Sequence, residues 1–277
     1  MHTTDRERRL IVNADDFGRS RAINEAVLRA HREGILTTAS LMVTGEACDE
    51  AVAMARATPS LGVGLHLTLV HGTSVLPAAR IPGLVSDEGR FSDVAPWAGF
   101  LFWARRDLRE SLRAEIAAQF ERFRSTGLPL DHVNGHLHLH LHPVVFDLLA
   151  GHAREWGIER MRLTRDSLAT SRKVQRGRWL YRASHALIFA ALSRRAAPVL
   201  ARLGIRHTDV VFGLLADGQV DEAYLLRVLP RLPAGVVELY SHPSMDRFRH
   251  EYEALVSPRV WQAVDASGFR RVRYQDL

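Results

Sequence analysis

The sequence predicts an α/β protein, a distorted and TIM-barrel-like (β/α) barrel. Short apolar runs alternate along the 277 residues with longer stretches of helical periodicity. Glycines stop several of these helices, and the regular length of the units favours a barrel over an open sheet. No internal repeat, low-complexity tract or linker divides the chain, so we expect a single domain over residues 1–277.

The predicted strands and helices alternate along the chain. Strands are expected at residues 9–13, 38–43, 61–67, 130–140, 158–163, 209–213, 235–241 and 270–274. Helices are expected at residues 21–33, 46–57, 107–126, 143–156, 178–203, 221–229 and 247–266. Ser20 can cap the first helix, and Gly34, Gly157 and Gly204 stand at helix ends. This order indicates parallel strands joined by helices.

Two apolar segments fall outside this pattern. Residues 71–106 form an insertion that ends in the aromatic run 97–103, which is too apolar for a solvated loop. We expect a lid or a wall of a substrate site, with an ordinary inserted helix as the alternative. The uncharged segment 183–193 is far shorter than the ~20 residues that span a bilayer. A buried amphipathic helix and a contact with a membrane surface are both open for it.

Arginine dominates the charge of the chain. Lys and Arg number 37 against 31 Asp and Glu, a net charge of +6, and Lys173 is the only lysine. Codon bias explains most of this composition, although the clusters at 105–106 and 172–182 could face an anionic membrane. Cys48 is the only cysteine, which excludes an intrachain disulfide, and the polar start of the chain predicts no signal peptide. We therefore expect a cytoplasmic protein, with peripheral contact at the inner face of the cytoplasmic membrane as an option.

Acidic and histidine side chains stand at or near the carboxyl ends of three of the predicted strands. They are Asp15 and Asp16, then His66, and then a cluster of His136, His138, His140 and His142. Side chains alternate faces along a strand, so the four clustered histidines should share one face. Because the carboxyl ends of parallel strands converge, the three motifs together predict one metal site.

Structural explanations remain open for each motif taken alone. An Asp pair between a strand and a helix often provides only turn or cap chemistry. A lone histidine such as His66 is more often a hydrogen-bonded core residue than a ligand. Four imidazoles on one face are harder to explain as a solvated surface, and the joint occurrence of the three motifs favours a functional site.

A carboxylate and two imidazoles are the ligands of a catalytic metal site. This set is typical of zinc with positions left open for water, and it would also accept cobalt, nickel or manganese, with magnesium as a further candidate. Adjacent aspartates allow a division of labour in which one binds the metal and the other acts as general base.

Longer strings around these residues resemble the YdjC/ChbG family of carbohydrate deacetylases. The similar strings are residues 12–18 (VNADDFG), 62–66 (GVGLH), 131–138 (DHVNGHLH) and 238–243 (ELYSHP). Within that family the sequence is most similar to the hopanoid biosynthesis-associated branch, HpnK. That likeness rests on residues 33–43, 76–77, 80–82 and 126–134.

The resemblance implies a distorted barrel that removes the acetyl group from an N-acetylated sugar with the help of one divalent metal ion. Carried onto this chain, it implies Asp16, His66 and His136 as metal ligands and Asp15 as the base. The branch implies an N-acetylglucosaminyl hopanoid as the substrate, converted to its glucosaminyl form. Soluble chito-oligosaccharides are the alternative substrates, and the oligomeric state is open, with a homodimer among the options.

Six further residues are candidates for the site. His242 follows the buried run 236–240 and could donate a proton to the leaving amine, although a histidine before a proline turn is also a structural residue. Arg162 could orient a carboxylate, with a structural ion pair as the equal alternative. Substrate contacts are expected from His138 and His140 and, for a lipid, from Phe100 and Trp103.

Two other classes of function compete with this interpretation. A metal-dependent phosphoesterase or nuclease would suit the positive charge but would normally need more carboxylates for a second metal. A non-enzymatic basic module that binds membrane or nucleic acid would need no converging histidines. We therefore expect a sugar substrate and no nucleic-acid partner.

Overall fold

A computed structural model describes residues 7–277, and its core is a sheet of parallel strands. Residues 1–6, which hold most of the polar start of the sequence, lie outside the described part. The strands are β1 (Arg8–Phe17), β2 (Thr38–Leu41), β3 (Gly62–Leu67), β4 (Val133–Gly135), β5 (Arg160–Met161), β6 (Arg206–His207), β7 (Val210–Phe212), β8 (Gly235–Ser241) and β9 (Arg270–Arg271).

Helices follow most of the strands, as expected for parallel β/α units. They are α1 (Arg21–Glu33), α2 (Cys48–Arg56), α3 (Ala95–Ala104), α4 (Leu108–Ser125), α5 (Pro143–Gly151), α6 (Ala153–Trp156), α7 (Leu168–Val174), α8 (Trp179–Leu203), α9 (Glu222–Val228), α10 (Arg249–Leu255) and α11 (Pro258–Ala266). Ser20 caps α1 by accepting a hydrogen bond from the Ile23 amide, which confirms the expected start of that helix.

The sheet curls into an incomplete barrel. Its strand order is β6-β5-β4-β3-β2-β1-β8-β7, with β9 beside β1, and all of these pairings are parallel. No ladder joins β6 to β7 within residues 7–277, so the barrel is distorted, as predicted. β1 lies between β2 and β8, and its carboxyl end meets those of β3, β4 and β8, which brings distant parts of the sequence together.

The histidine cluster does not continue a strand, and the prediction of a strand over 130–140 is wrong. β4 ends at Gly135, and a 3-10 turn follows from His136 to Leu141. Leu137 (φ 50°) and His138 (φ 58°) lie in the left-handed region, where residues with a side chain are uncommon. The four histidines therefore point in different directions instead of sharing one face.

Smaller differences concern element boundaries. The predicted helix at 247–266 is split into α10 and α11, because Pro258 cannot continue a helix and Ser257 caps the new one at the Val260 amide. The helix at 143–156 breaks near His152 into α5 and α6. β6 and α7 were not predicted, since two-residue strands and seven-residue helices carry little periodic signal.

The insertion at 71–106 contains one regular helix of its own. A single antiparallel bridge joins Thr73 to Arg90, and α3 follows. Ala98 and Phe102 of this helix are buried against the core, whereas Trp97 remains 53% exposed. The insertion thus covers part of the core while leaving aromatic rings in solvent.

α8 is the longest helix and includes the uncharged segment 183–193. Ala186 and Ser193 pack inward, but Leu187 is 71% exposed. This segment is therefore a helix with one buried and one exposed apolar side.

No helix within residues 7–277 is both long enough and apolar enough to cross a membrane.

The two glycines of β3 are required by packing. A Cβ atom at Gly64 would lie 2.5 Å from the carbonyl oxygen of His132, and one at Gly62 would lie 2.9 Å from the carboxylate of Asp131. β3 and the segment before β4 can pair at this distance only without side chains in between. This close approach holds His66, two residues further along β3, in place.

We expect Gly64→Ala to lower the free energy of unfolding by about 1–3 kcal/mol, because the added methyl group overpacks the interior. Urea unfolding followed by circular dichroism measures this change. Gly151→Ala is the matched control: nothing lies within 4 Å of its added Cβ, and we expect a change below about 0.5 kcal/mol. Equal stability of the two variants would show that β3 can shift away from His132.

Candidate metal centre and active site

Three potential metal ligands meet where β1, β3 and β4 end. Asp16 Oδ1 lies 3.3 Å from His66 Nε2 and 3.0 Å from His136 Nδ1, and the two nitrogens are 3.3 Å apart. All three residues are buried, and they are the group that could hold a metal ion within residues 7–277. The structure thus brings together the three residues that the sequence suggested as ligands.

The backbone of β1 turns both aspartates toward this point. Successive side chains of a regular strand would point to opposite faces. Asp16 instead has φ 65°, in the left-handed region, and the pairing of β1 with β2 shifts register between Ala14 and Phe17. Asp15 Oδ1 lies 3.9 Å from His66 Nδ1, on the other edge of the same ring. A strained backbone of this kind is typical of functional sites.

The donor atoms fit a divalent cation. Asp16 Oδ1 is buried and makes no hydrogen bond, while Asp16 Oδ2 accepts one from Arg19. The spacings of 3.0–3.3 Å are close to the ~3.4 Å that separates tetrahedral ligands at about 2.1 Å from zinc. An oxygen with no protein partner between two imidazole nitrogens therefore suits a divalent metal ion.

The ionisation states suit the same role. Burial lowers the pKa of His136 below its usual value, which favours the neutral ring that can coordinate a metal. Burial alone would raise the pKa of Asp16, but His136 and His66 outweigh it and hold that pKa well below its usual range. The Asn134 side-chain oxygen accepts from His66 Nδ1 at 2.7 Å, so the lone pair of His66 Nε2 faces Asp16 and His136.

Asp15 is fixed by a buried arginine. Arg162 Nη1 and Nη2 donate to Asp15 Oδ2 at 2.7 Å and Oδ1 at 3.0 Å, and the Arg162 side chain is fully buried. Asn13 and Asn134 also donate to Asp15 Oδ1, at 2.8 and 3.1 Å. Burial opposes the charge of Asp15, but Arg162 overcomes it and holds the pKa well below its usual range. Asp15 Oδ2 accepts a hydrogen bond only from Arg162, so it retains a lone pair that could accept a proton.

The far side of Arg162 is held by a second carboxylate. Its Nη2 and Nε donate to Glu238 of β8 at 2.6 and 3.0 Å, and the Tyr274 hydroxyl donates to the same carboxylate at 2.5 Å. The Tyr240 ring lies 4.5 Å beneath the guanidinium carbon. Arg162 therefore cannot rotate away from Asp15 without leaving buried charge unpaired.

A second buried network orients the two asparagines. Asn13 and Asn134 donate to Ser40 Oγ at 3.0 and 2.8 Å, and Ser40 Oγ lies 2.9 Å from His132 Nε2. His132 Nδ1 in turn lies 2.9 Å from an Asp131 carboxylate oxygen. Ser40, His132 and Asp131 are linked in the order of a catalytic triad, but all three are buried in the sheet. Its effect is to fix the Asn134 amide so that it binds both Asp15 and His66.

His242 follows β8 and borders two pockets beside the ligand cluster of Asp16, His66 and His136. A polar pocket of about 410 Å³ contains Asp16 and His242, and a second pocket of about 290 Å³ contains Asp15, His66 and His242. Burial alone would lower the pKa of His242, but Asp16, Asp15 and Asp217 raise it above its usual value. A protonated imidazole beside the ligand cluster can donate a proton in this position.

The other histidines of the cluster have separate environments. His138 borders the second pocket, and its Nε2 lies 2.9 Å from the Tyr240 hydroxyl. His140 is fully buried and borders neither pocket, with Nε2 3.1 Å from the Arg162 carbonyl oxygen. Burial, and then the charge of Arg162, lower the pKa of His140 to about 3 and that of His138 well below its usual range. Both rings are therefore neutral, and of the two only His138 could contact a molecule bound in the second pocket.

The expected aromatic wall lies outside the pockets. Phe100 and Trp103 are 51% and 66% exposed and border neither pocket, so the structure does not bring them to the ligand cluster. Ala95, at the start of the same helix, does border the second pocket. α8 also borders this pocket, through Tyr181, His185 and Phe189.

Several residues of the site carried a signal in the sequence without an assigned role. Asn13 and Asn134 precede the ligand positions within the motif strings, and Glu238 is a charge inside an otherwise apolar strand. A buried charge requires a partner, so Glu238 could have been paired with Arg162. The contribution of Tyr181, His185 and Phe189 follows only from the packing of α8 against the sheet.

A model of the YdjC-like protein family matches residues 9–266. The chain therefore belongs to the YdjC-like family. A carbohydrate deacetylase from Brevibacillus brevis is 40% identical over 54% of this chain, and the match spans 57% of that protein, little more than half of its length. A chitooligosaccharide deacetylase from Serratia marcescens is 28% identical over 98% of this chain and 100% of that protein.

A solved structure has the same fold. It is that of an Enterococcus faecalis V583 protein named for cellobiose-phosphate cleavage, with a TM-score of 0.71, 22% identity and 98% coverage of both chains.

We expect the wild-type protein to bind one divalent ion per chain and the Asp16→Ala and His136→Ala variants to lose it, because each change removes one of three donors. Metal analysis after dialysis measures the content. His140→Ala is the control, since its ring lies outside the cluster and the variant should keep its metal. Full metal content in His136→Ala would exclude this set of ligands.

We expect Asn134→Ala to bind metal about 10–100-fold more weakly, because the His66 ring loses the acceptor that fixes its tautomer. Competition with a chromophoric chelator measures the affinity. In Asn13→Ala, which removes the other amide donor to Asp15 but no contact with His66, the affinity should stay near that of the wild type. Equal losses in both variants would point to a general loosening of the site.

Proposed function

We propose that this chain, a member of the YdjC-like family, is a metal-dependent hydrolase that removes the N-acetyl group from an amino sugar. The observation that carries the proposal is the cluster of Asp16, His66 and His136 beside an Asp15 carboxylate fixed by Arg162. Relatives named as carbohydrate and chitooligosaccharide deacetylases support the same reaction. Asp15 does not belong to the ligand cluster, and its carboxylate, oriented by Arg162, serves in proton transfer.

Amide hydrolysis requires an activated water, a stabilised oxyanion and a proton for the leaving amine. A divalent ion held by Asp16, His66 and His136 would supply acidified water and polarise the acetyl carbonyl. Asp15 Oδ2 accepts the proton of the attacking water, and Arg162 keeps that oxygen pointed at the site. Since Asp15 stays ionised at neutral pH, it is available as an acceptor in every turnover.

His242 supplies the proton for the amine. Its ring borders both pockets, and Asp217 lies 3.6 Å from Nδ1, which stabilises the protonated form. The backbone amide of His242 donates to Glu251 at 2.6 Å, so the loop after β8 is held in place. A cationic imidazole opposite Asp15 divides the two proton transfers between two residues.

For the substrate we favour a lipid-linked amino sugar, an N-acetylglucosaminyl hopanoid that is converted to its glucosaminyl form. The second pocket supports this choice, because Phe189, Tyr181 and Leu137 give it an apolar side near Asp15. The polar pocket on the other side of the cluster could take a hydroxylated sugar. Soluble chito-oligosaccharides are the second candidate, and the name of the Serratia marcescens relative favours them.

The competing classes lack comparable support. A two-metal phosphoesterase would need a further set of carboxylates, and Asp15 is already engaged by Arg162. A non-enzymatic binding module would not require a buried carboxylate oxygen without a partner between two imidazoles.

Mass spectrometry of chito-oligosaccharides and of N-acetylglucosaminyl hopanoids, before and after incubation with the metal-loaded protein, tests the proposal. Loss of one acetyl group from either substrate is the expected result, with faster loss from the lipid. An intact acetyl group in both substrates, in a protein shown to bind metal, would contradict it.

We expect Asp15→Asn to keep its metal while turnover falls about 10²- to 10⁴-fold, because the amide cannot accept the proton of water. Single-turnover kinetics together with metal analysis measure both properties. His242→Asn should show the same pattern, since it removes the proton donor. Asp265→Asn, an exposed residue of α11, is the control and should have wild-type turnover. Loss of metal in Asp15→Asn would instead make Asp15 a ligand.

A further inference from the structure

The first half of α8 exposes a continuous apolar strip. Leu180 is 82% exposed, Leu187 71% and Ile188 54%. With Ser184 and Ala191, which are also exposed, they follow the spacing of one helix face. The strip is about 16 Å long at 1.5 Å per residue. Exposed aliphatic side chains in such a row mark a surface that meets another apolar phase.

The charge carried by α7, α8 and the segments that flank them has a single sign. Between Asp166 and Asp209 the sequence contains no aspartate or glutamate. The same stretch contains Arg172, Lys173, Arg176, Arg178, Arg182, Arg194, Arg195, Arg202 and Arg206. All of these except Arg182 are exposed. Basic residues thus flank the apolar strip at both ends.

We propose that this strip and its basic flanks, called the α8 surface below, dock the protein onto an anionic lipid bilayer. Aliphatic side chains flanked by arginine and lysine match the two parts of such a bilayer, the acyl region and the negative headgroups. Trp179, which is 49% exposed at the start of the helix, has the amphipathic ring that favours the interface. The helix lies in the plane of the interface and does not cross it.

A second copy of the chain fits the α8 surface less well. In a symmetric dimer the same patch meets itself, so the arginines flanking one strip would face those flanking the other. The 167–208 stretch contains no acidic side chain that could compensate this repulsion, and the nearby Asp147 of α5 is already paired with Arg195. The single sign of the charge therefore favours lipid over self-association.

α3 carries a second group of exposed apolar residues and also borders the second pocket. Trp97, Phe100 and Trp103 form an exposed row in which neighbouring rings lie 5.6 and 6.2 Å apart. α3 contributes Ala95 to the second pocket and α8 contributes His185, so the two helices that carry exposed apolar residues border the same pocket. Docking would therefore turn the opening that leads to Asp15 toward the lipid, a consequence that rests on the proposed function.

Flotation of the wild-type protein with vesicles tests the proposal. We expect binding to vesicles of phosphatidylcholine mixed with phosphatidylglycerol, much weaker binding to phosphatidylcholine alone, and a decrease with added salt. The variant L180S/L187S/I188S should lose about tenfold or more of this binding, and so should R172Q/K173Q/R176Q. F100S/W103S should weaken it as well.

Matched controls separate docking from general effects. Leu203→Ser changes an exposed leucine at the far end of α8, and R249Q/R259Q/R270Q removes the same net charge from α10, α11 and β9. Both should bind vesicles as the wild type does, and urea unfolding verifies that every variant is folded. Metal content and turnover of a short soluble substrate should be unchanged in L180S/L187S/I188S, so failure of the docking proposal and failure of the proposed function give different results.

Three results would overturn the proposal. One is a wild-type protein that does not float with anionic vesicles. The second is an equal loss of binding in the control variants. The third is a dimer, seen by light scattering without vesicles, that L180S/L187S/I188S dissociates.

Discussion

The buried Arg162 is the interaction on which the rest of the site depends. Its guanidinium lies between Asp15 of β1 and Glu238 of β8. Two buried carboxylates without this cation would repel each other and take up protons. With Arg162 in place, Asp15 remains ionised and its carboxylate is held in one orientation. Asp16 adds a third carboxylate nearby, so negative charge exceeds the one buried guanidinium, and a dication held by Asp16 would reduce the imbalance.

The parts of the site that were predictable are those that topology determines. Asp16 and His66 follow apolar runs, and parallel strands place such positions at one edge whatever the details of packing. The position of the glycines before His66 was also visible in the sequence, because they stand at alternate positions of a buried strand. Their cause, the close approach of His132 and Asp131, is visible only in three dimensions.

The histidine cluster shows where this reasoning fails. Alternation of His and Leu from His136 onward has the period of a strand, yet Leu137 and His138 adopt left-handed angles. Long-range contacts decide the conformation: His138 meets Tyr240, and His140 meets the carbonyl of Arg162. Local propensity contains no information about partners that are so distant in sequence, so tertiary structure overrides the pattern.

The peripheral helices add a second lesson about apolar segments. α3 is apolar on all sides, so its sequence has no periodic signal to show which residues face the core. Ala98 and Phe102 pack inward, and Phe100 and Trp103 remain outside. Leaving large aromatic rings in water is unfavourable unless another phase covers them for part of the time. The exposed row of α8, a helix that borders the same pocket as α3, has the same unfavourable contact with water. We therefore expect the partner that covers these two helices to set the substrate preference, and the residues at the strand ends to set the reaction.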